Sequence, residues 1–180
     1  MDFDAQTQPI PEHEKQKEVL DDNARKFVTE PLDRAFLKEN GAIPFLLITD
    51  WLEVGEDNET KVVYKKFDGD DVQIFLISKT TKDGNRTKEK EKITEERYKT
   101  LIGSSIRHVE KKRYEFTYTQ NNTSFAVNYD EFVGGKLFML DVDAPTEEER
   151  DSFSFNDFSS TLVEVTEEMQ YYGYRVAGIV

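Results

Sequence analysis

A chain of 180 residues is long enough for one ordinary domain with its own core and too short for two of average size. It is polar, at 37% hydrophobic and 34% charged residues, yet 13 Phe and 8 Tyr exclude wholesale disorder. The lack of cysteine excludes disulfides, thiolate metal sites and cysteine nucleophiles; with no apolar run of membrane-spanning length and no signal-like N-terminus, a cytoplasmic protein is the expectation.

In chain order, residues 1–22 carry two prolines and no periodicity. They read as a flexible tail, with a helical piece around residues 12–20, ahead of one domain at 23–180. A short strand is expected at 24–28. A helix follows over 31–39, with Thr29 as its cap and Asn40-Gly41 as its stop. Seven extended segments come next, at 45–54, 60–67, 72–80, 86–93, 106–119, 124–132 and 136–142. Turn signals separate several of them: Asp68-Gly69, Asp83-Gly84-Asn85, Gln120-Asn121-Asn122 and Gly134-Gly135. Short helices are expected to begin at Thr94, Thr146 and Thr166, each followed by two glutamates in the positive first turn. Thr146 and Glu149 have capping-box spacing. Eight strands result, a number that can close into an antiparallel barrel with short flanking helices, an α+β but mainly β architecture.

A net charge of −13 argues against an anion ligand until its distribution is considered. From Lys61 to Arg113 there are 15 basic and 9 acidic residues, whereas the rest of the chain holds 9 basic and 28 acidic ones. Such asymmetry separates an anion-binding interior from an acidic exterior, or merely scatters lysines over a surface. Strand periodicity bears on the choice. In Arg86-Thr87-Lys88-Glu89-Lys90-Glu91-Lys92 the four basic residues share one face, and neither face is apolar. A solvated hairpin or helix tolerates this, and so does a barrel wall with a wet lumen on one side and water on the other. Residues 109–118 place Lys111, Arg113 and Glu115 on one face and Tyr114, Phe116 and Tyr118 on the other, with Lys112. Asp141 and Asp143 share a face opposite Phe138, Leu140 and Val142, and the apolar 72–79 strand ends on Lys79. If the apolar faces pack outward, the charged ones line a common cavity holding Lys and Arg for phosphate oxygens and carboxylates for a divalent metal. Solvent-facing alternation has the same appearance.

The order of segments from Asp22 to Ala177 resembles the CYTH proteins, or triphosphate tunnel metalloenzymes. The family's opening Glu-x-Glu-x-Lys is matched by Asp22-Asn23-Ala24-Arg25-Lys26, followed by Phe27-Val28. Ile48-Thr49-Asp50-Trp51-Leu52 and Val63-Tyr64-Lys65-Lys66 resemble the next two strands, and Lys79 the lysine ending the third. Arg86-Thr87-Lys88, Ile93 to Tyr98, and Lys111-Lys112-Arg113-Tyr114 follow in family order. Asp130, Gly134 and Asp141-Val142-Asp143 resemble its acidic strands, and Glu164-Val165-Thr166 with Tyr171 its closing motif.

The resemblance implies a tunnel of eight antiparallel strands that binds a small triphosphate and hydrolyses it with Mg²⁺ or Mn²⁺. Tripolyphosphate, thiamine triphosphate and nucleoside triphosphates are the family's substrates, and some members are adenylate cyclases. It implies catalytic roles for Lys26 and Arg113, substrate contacts from Lys65, Lys79, Arg86, Lys88, Lys90, Lys111 and Arg113, and metal ligation by Asp141, Asp143, Asp130 and Asp22. Neither a membrane nor duplex nucleic acid is an expected partner. This chain departs from the pattern in several places: Ala24 cannot coordinate a metal, Val63 stands where arginine is usual, and Lys88 and Lys90 replace common glutamates. A catalytically impaired polyphosphate- or nucleotide-binding module is therefore the alternative. Outside the motifs, His13 and His108 read as solvated, Glu12-His13-Glu14 as tail, Ser104-Ser105 as loop and Gly134-Gly135 as a turn.

Overall fold

The computed structural model describes residues 16–19, 24–159 and 161–178. Ten strands form one sheet: β1 (Gln16–Val19), β2 (Arg25–Val28), β3 (Ile43–Val54), β4 (Asn58–Lys66), β5 (Val72–Lys82), β6 (Asn85–Lys92), β7 (Arg107–Gln120), β8 (Thr123–Phe132), β9 (Phe138–Asp143) and β10 (Val163–Glu164). Their order is β1-β6-β5-β4-β3-β7-β8-β9-β2-β10, and every pairing is antiparallel. Two meanders, β3 to β6 and β7 to β9, are joined by the β3–β7 pairing. Their turns use the residues expected: Asp83, Gly84, Asn121 and Asn122 all have positive φ, which Gly and Asn adopt most readily.

Among the described residues the four helices α1 (Arg34–Glu39), α2 (Glu95–Ile102), α3 (Glu147–Asp151) and α4 (Phe155–Phe158) are short, and two 3₁₀ turns follow at Met169–Tyr171 and Gly173–Gly178. Thr94 caps α2 by accepting from Arg97 N, and Thr146 with Glu149 closes the anticipated capping box on α3. No helix among the described residues is long and apolar enough to cross a membrane.

The outward faces of β7, β8, β9 and β2 carry the main core. Phe27, Tyr114, Phe116, Phe125, Val127, Tyr129, Leu140 and Val142 pack there beneath Leu37 of α1 and Phe153. Burying a Phe or Leu side chain stabilises the fold by about 1.5–3 kcal/mol, so this outer layer holds the sheet's curvature. A second outer cluster packs Val62, Ile74 and Ile93 beneath Tyr98 and Leu101 of α2. Sheet twist and a register shift between Trp51 and Glu53 bend the sheet until β2 to β9 surround one cavity of about 980 Å³.

Four expectations are corrected. Residues 16–19, read as tail with a helical piece, are strand β1 on the edge of β6, while the rest of the tail lies outside the described residues. Among the described residues the sheet ends at β1 and β10 without a pairing between them, so hydrogen bonds do not close an eight-stranded barrel. The cap of α1 is Asp33, whose carboxylate accepts from Ala35 N at 2.6 Å; Thr29 instead donates to the Glu30 carbonyl. Thr166 caps no helix because its hydroxyl accepts from Lys26 N and donates to Glu164, tying the C-terminal segment to β2.

Candidate functional site

Ten lysines and arginines and five aspartates and glutamates line the cavity among the described residues, most of them turned inward by alternation along the strands. The excess of positive charge is concentrated inside a chain whose net charge is −13. Of the basic residues expected to contact substrate or act in catalysis, Lys26, Lys65, Lys79, Arg86, Lys88, Lys90, Lys111 and Arg113 all line it. Lys61 and Arg175 join them. Lys61 was missed although it lies on the same β4 face as Val63 and Lys65, where period-two counting finds it. Arg175 sits in a 3₁₀ turn, where no strand periodicity announces it.

Two walls differ in how their charges are placed. On β2, β7, β8 and β9, cations and carboxylates are cross-strand neighbours: Arg113 is opposite Asp130, and Lys26 opposite Asp141. Arg113 Nε donates to Asp130 Oδ1 at 2.7 Å and its Nη2 to Oδ2 at 2.8 Å, while Lys111 Nζ donates to the same Oδ2 at 2.6 Å. Lys26 Nζ donates to Asp141 Oδ1 at 2.7 Å, and Arg113 Nη2 stands 3.9 Å from Asp141 Oδ2. Asp130 is 3% exposed. Burial disfavours its charge, but Arg113 and Lys111 hold its carboxyl well below the usual carboxylate range. Burial also works against the Arg113 charge, and Asp130 more than restores it. Lys111 is drawn down to about 8 by burial and by Arg113, with Asp130 opposing.

The facing wall of β4, β5 and β6 holds Lys61, Lys65, Lys79, Arg86, Lys88 and Lys90. Here Lys79 stands between two cross-strand partners, Glu59 on β4 and the like-charged Lys88 on β6, the second of which destabilises a sheet. Lys65 is lowered by burial and by the positive charges of Lys90, Arg113 and Lys88, against an opposing pull from Glu115. Glu59 is the wall's carboxylate, 2.8 Å from Lys61 Nζ, and its acidity is strengthened by Lys61 and Lys79 against burial. Aromatic rings shelter the ammonium groups: Lys90 Nζ lies 4.0 Å from the Phe75 centroid and Lys65 Nζ 5.0 Å from that of Phe45. A wall of this kind attracts an anion with several charged oxygens. Lys92 and Lys112 do not line the cavity; Lys112 lies over the Tyr114 ring on the outer face.

The expected metal ligands do not assemble. Asp22 lies outside the described residues. Asp143 shares the strand face of Asp141 but is exposed at the end of β9, where its Oδ1 accepts from Ala144 N. Asp130 has both oxygens occupied by Arg113 and Lys111, and Asp141 is bound by Lys26. Among the described residues no group of three His, Asp or Glu is disposed to hold a metal. A hard cation needs several unengaged oxygen donors, so this donor set does not fit Mg²⁺ or Mn²⁺. Ala24 lines the cavity without an oxygen to offer.

His108 is largely exposed and Ser105 lies in the loop before β7, as expected, and both also meet a carboxylate. Outside the cavity, buried Asp50 accepts from Ser105 Oγ at 3.0 Å and lies 2.9 Å from His108 Nδ1. The carboxylate stands between serine and histidine, so the histidine is not placed to take a proton from the hydroxyl.

No protein-family model matches the sequence, and no curated protein matches it significantly. Two solved structures of NE1496 are similar to this chain, one described as a hypothetical protein and the other as an inorganic triphosphatase. The first has a TM-score of 0.61 at 18% identity, over 86% of this chain and 95% of that one. The second has a TM-score of 0.60 at 18% identity, over 86% and 92%. The chain shares the fold of NE1496.

Proposed function

We propose that the protein binds a small triphosphate or related polyphosphate inside the cavity. The observation that carries this reading is the cross-strand pair Lys79–Lys88 within a wall that also holds Lys65, Arg86 and Lys90. Like-charged neighbours facing into an enclosed space cost stability, and a polyanion seated among them reverses the sign of that interaction. Each charge-assisted contact contributes about 1.5–3 kcal/mol. In this reading Lys65, Lys79, Arg86, Lys88 and Lys90 hold the phosphate chain. Lys111 and Arg113, locked on Asp130, present fixed positive edges from the opposite wall.

Hydrolysis is the second reading, favoured by the fold shared with an inorganic triphosphatase. It would use Lys26 and Arg113 against the scissile group, while the Mg²⁺ or Mn²⁺ dependence that the resemblance implies lacks a fitting donor set among the described residues. Adenylate cyclase activity has no feature of its own in support.

Phosphate release from tripolyphosphate, thiamine triphosphate and ATP, each with Mg²⁺ and with Mn²⁺, separates the readings when paired with thermal melts. Stabilisation by tripolyphosphate without turnover is the expected result, because a ligand that binds only the folded state raises its melting temperature. Turnover establishes the second reading, and neither stabilisation nor turnover refutes both.

A further inference from the structure

Resting on the polyphosphate reading, we propose that this cavity takes its ligand stripped of divalent cation, with lysines and arginines supplying the neutralisation that Mg²⁺ ordinarily provides. A polyphosphate in a cell is offered in two forms, free and complexed to a hard cation. A site that prefers the complex needs carboxylate oxygens to share the metal; a site that prefers the free anion needs cationic donors well in excess of its carboxylates.

The arrangement here is of the second kind: among the described residues ten lysines and arginines line the cavity against five carboxylates, and the carboxylates deepest in its walls are already engaged by cations. Both oxygens of Asp130 are held by three donated hydrogen bonds of 2.6–2.8 Å from Lys111 and Arg113. Asp141 is held by Lys26 at 2.7 Å, with Arg113 at 3.9 Å from its second oxygen. A divalent cation entering that wall would have to displace those cations from oxygens they already neutralise, and would then sit beside their charges. Asp143 is turned onto its own backbone at Ala144. Across the cavity, Lys61, Lys65, Lys79, Arg86, Lys88 and Lys90 outnumber the wall's Glu59, which itself lies 2.8 Å from Lys61 Nζ and opposite Lys79, and this excess of cations repels a metal and attracts phosphate oxygens. Both walls therefore favour the more highly charged, uncomplexed ligand.

Calorimetric titration of tripolyphosphate into the protein in EDTA, repeated at constant ionic strength with rising Mg²⁺, tests this. Binding is expected in EDTA, and the apparent affinity should fall at least tenfold as Mg²⁺ removes the free ligand. Binding that requires Mg²⁺, or strengthens with it, overturns the inference while leaving the polyphosphate reading standing. Absence of binding in both buffers sinks that reading and the inference with it. Asp141→Asn gives an independent check in a nearly isosteric variant whose folding is verified by its melt. Removing one anion from the wall should tighten metal-free binding twofold or more. Weakened binding that appears only when Mg²⁺ is present would identify Asp141 as a metal ligand and overturn the proposal.

Discussion

The two walls of the cavity use the same residue types to opposite ends. On β2, β7, β8 and β9, sheet register sets two of the three cavity cations against carboxylates, Arg113 on Asp130 and Lys26 on Asp141, and Lys111 reaches Asp130 from the same strand as Arg113. On β5 and β6, register sets Lys79 against Lys88. The first wall satisfies itself and is rigid as built. The second sets Lys79 between Lys88 on β6 and Glu59 on β4, and its cations outnumber its carboxylates, which suits it to an external anion. A lysine's role in this fold is thus decided less by its face than by what register places across from it. Stability should reside in the first wall and affinity in the second.

The largest test of that division is Asp130→Asn. It leaves Arg113 and Lys111 buried together without their carboxylate, and breaking such a group costs about 3–5 kcal/mol. Chemical denaturation should register a loss of that size; a change under about 1 kcal/mol would show that the paired wall contributes little to the fold. Next comes Lys88→Gln on the opposite wall, expected to weaken tripolyphosphate binding by about 1.5–3 kcal/mol. The same substitution should move the denaturation free energy by less than about 1 kcal/mol, as for a partly exposed ionic residue. A variant equally impaired in binding and stability would erase the distinction.

The pH dependence sharpens the comparison from another side. Lys111 titrates at about 8 in the fold against an ordinary 10.5. Between those values the unfolded chain holds a proton that the folded chain has released, so this residue makes stability rise as pH is raised from about 8 to 10.5. Below about 8 both states are protonated and its penalty is constant. Denaturation across this range should show a rise that Lys111→Met abolishes, and an identical profile in the variant would refute the assignment. Asp130 gives a slope of the same sign in a lower range: its depressed carboxyl contributes stability that is full above the ordinary aspartate range and is lost progressively as pH falls below it. The smallest expected effect is at Lys112, outward beside Tyr114, where Lys112→Ala should leave ligand affinity within about twofold by calorimetry. A loss at Lys112 as large as at Lys88 would mean that general surface charge, not the cavity, recruits the anion.

Face assignment was legible in the sequence because it depends only on a period of two. Counting alternate residues along 86–92 and 109–118 turned Arg86, Lys88, Lys90, Lys111 and Arg113 inward and Tyr114 and Phe116 outward, where they lie. Which strand lies beside which, and in what register, depends on contacts between distant residues that no local pattern encodes. That is why Asp130 and Asp141 were grouped as ligands although each is claimed by a cation on a neighbouring strand. The same limit hid Asp143, which keeps the right face but reaches the strand end, and Asp50, whose partners arrive from another strand and loop. Strands β1 and β10 are too short and polar to announce themselves, and exist because β6 and β2 offer them an edge.

The place of β2 in the sheet carries a consequence for how the molecule assembles. The β3 to β6 meander joins strands close in sequence, whereas β2 pairs with β9 and β10, so that Lys26 meets Asp141 across 115 residues and Arg25 meets Glu164 across 139. Joining such distant segments carries a loop-closure entropy that local hairpins avoid, which makes this seam the late step of folding. In pulse-labelled amide exchange during refolding, β4 and β5 should gain protection before β2. Until the seam forms, Asp141 lacks Lys26, and the nascent chain exposes an acidic strand and a basic meander, each seeking a partner of opposite charge.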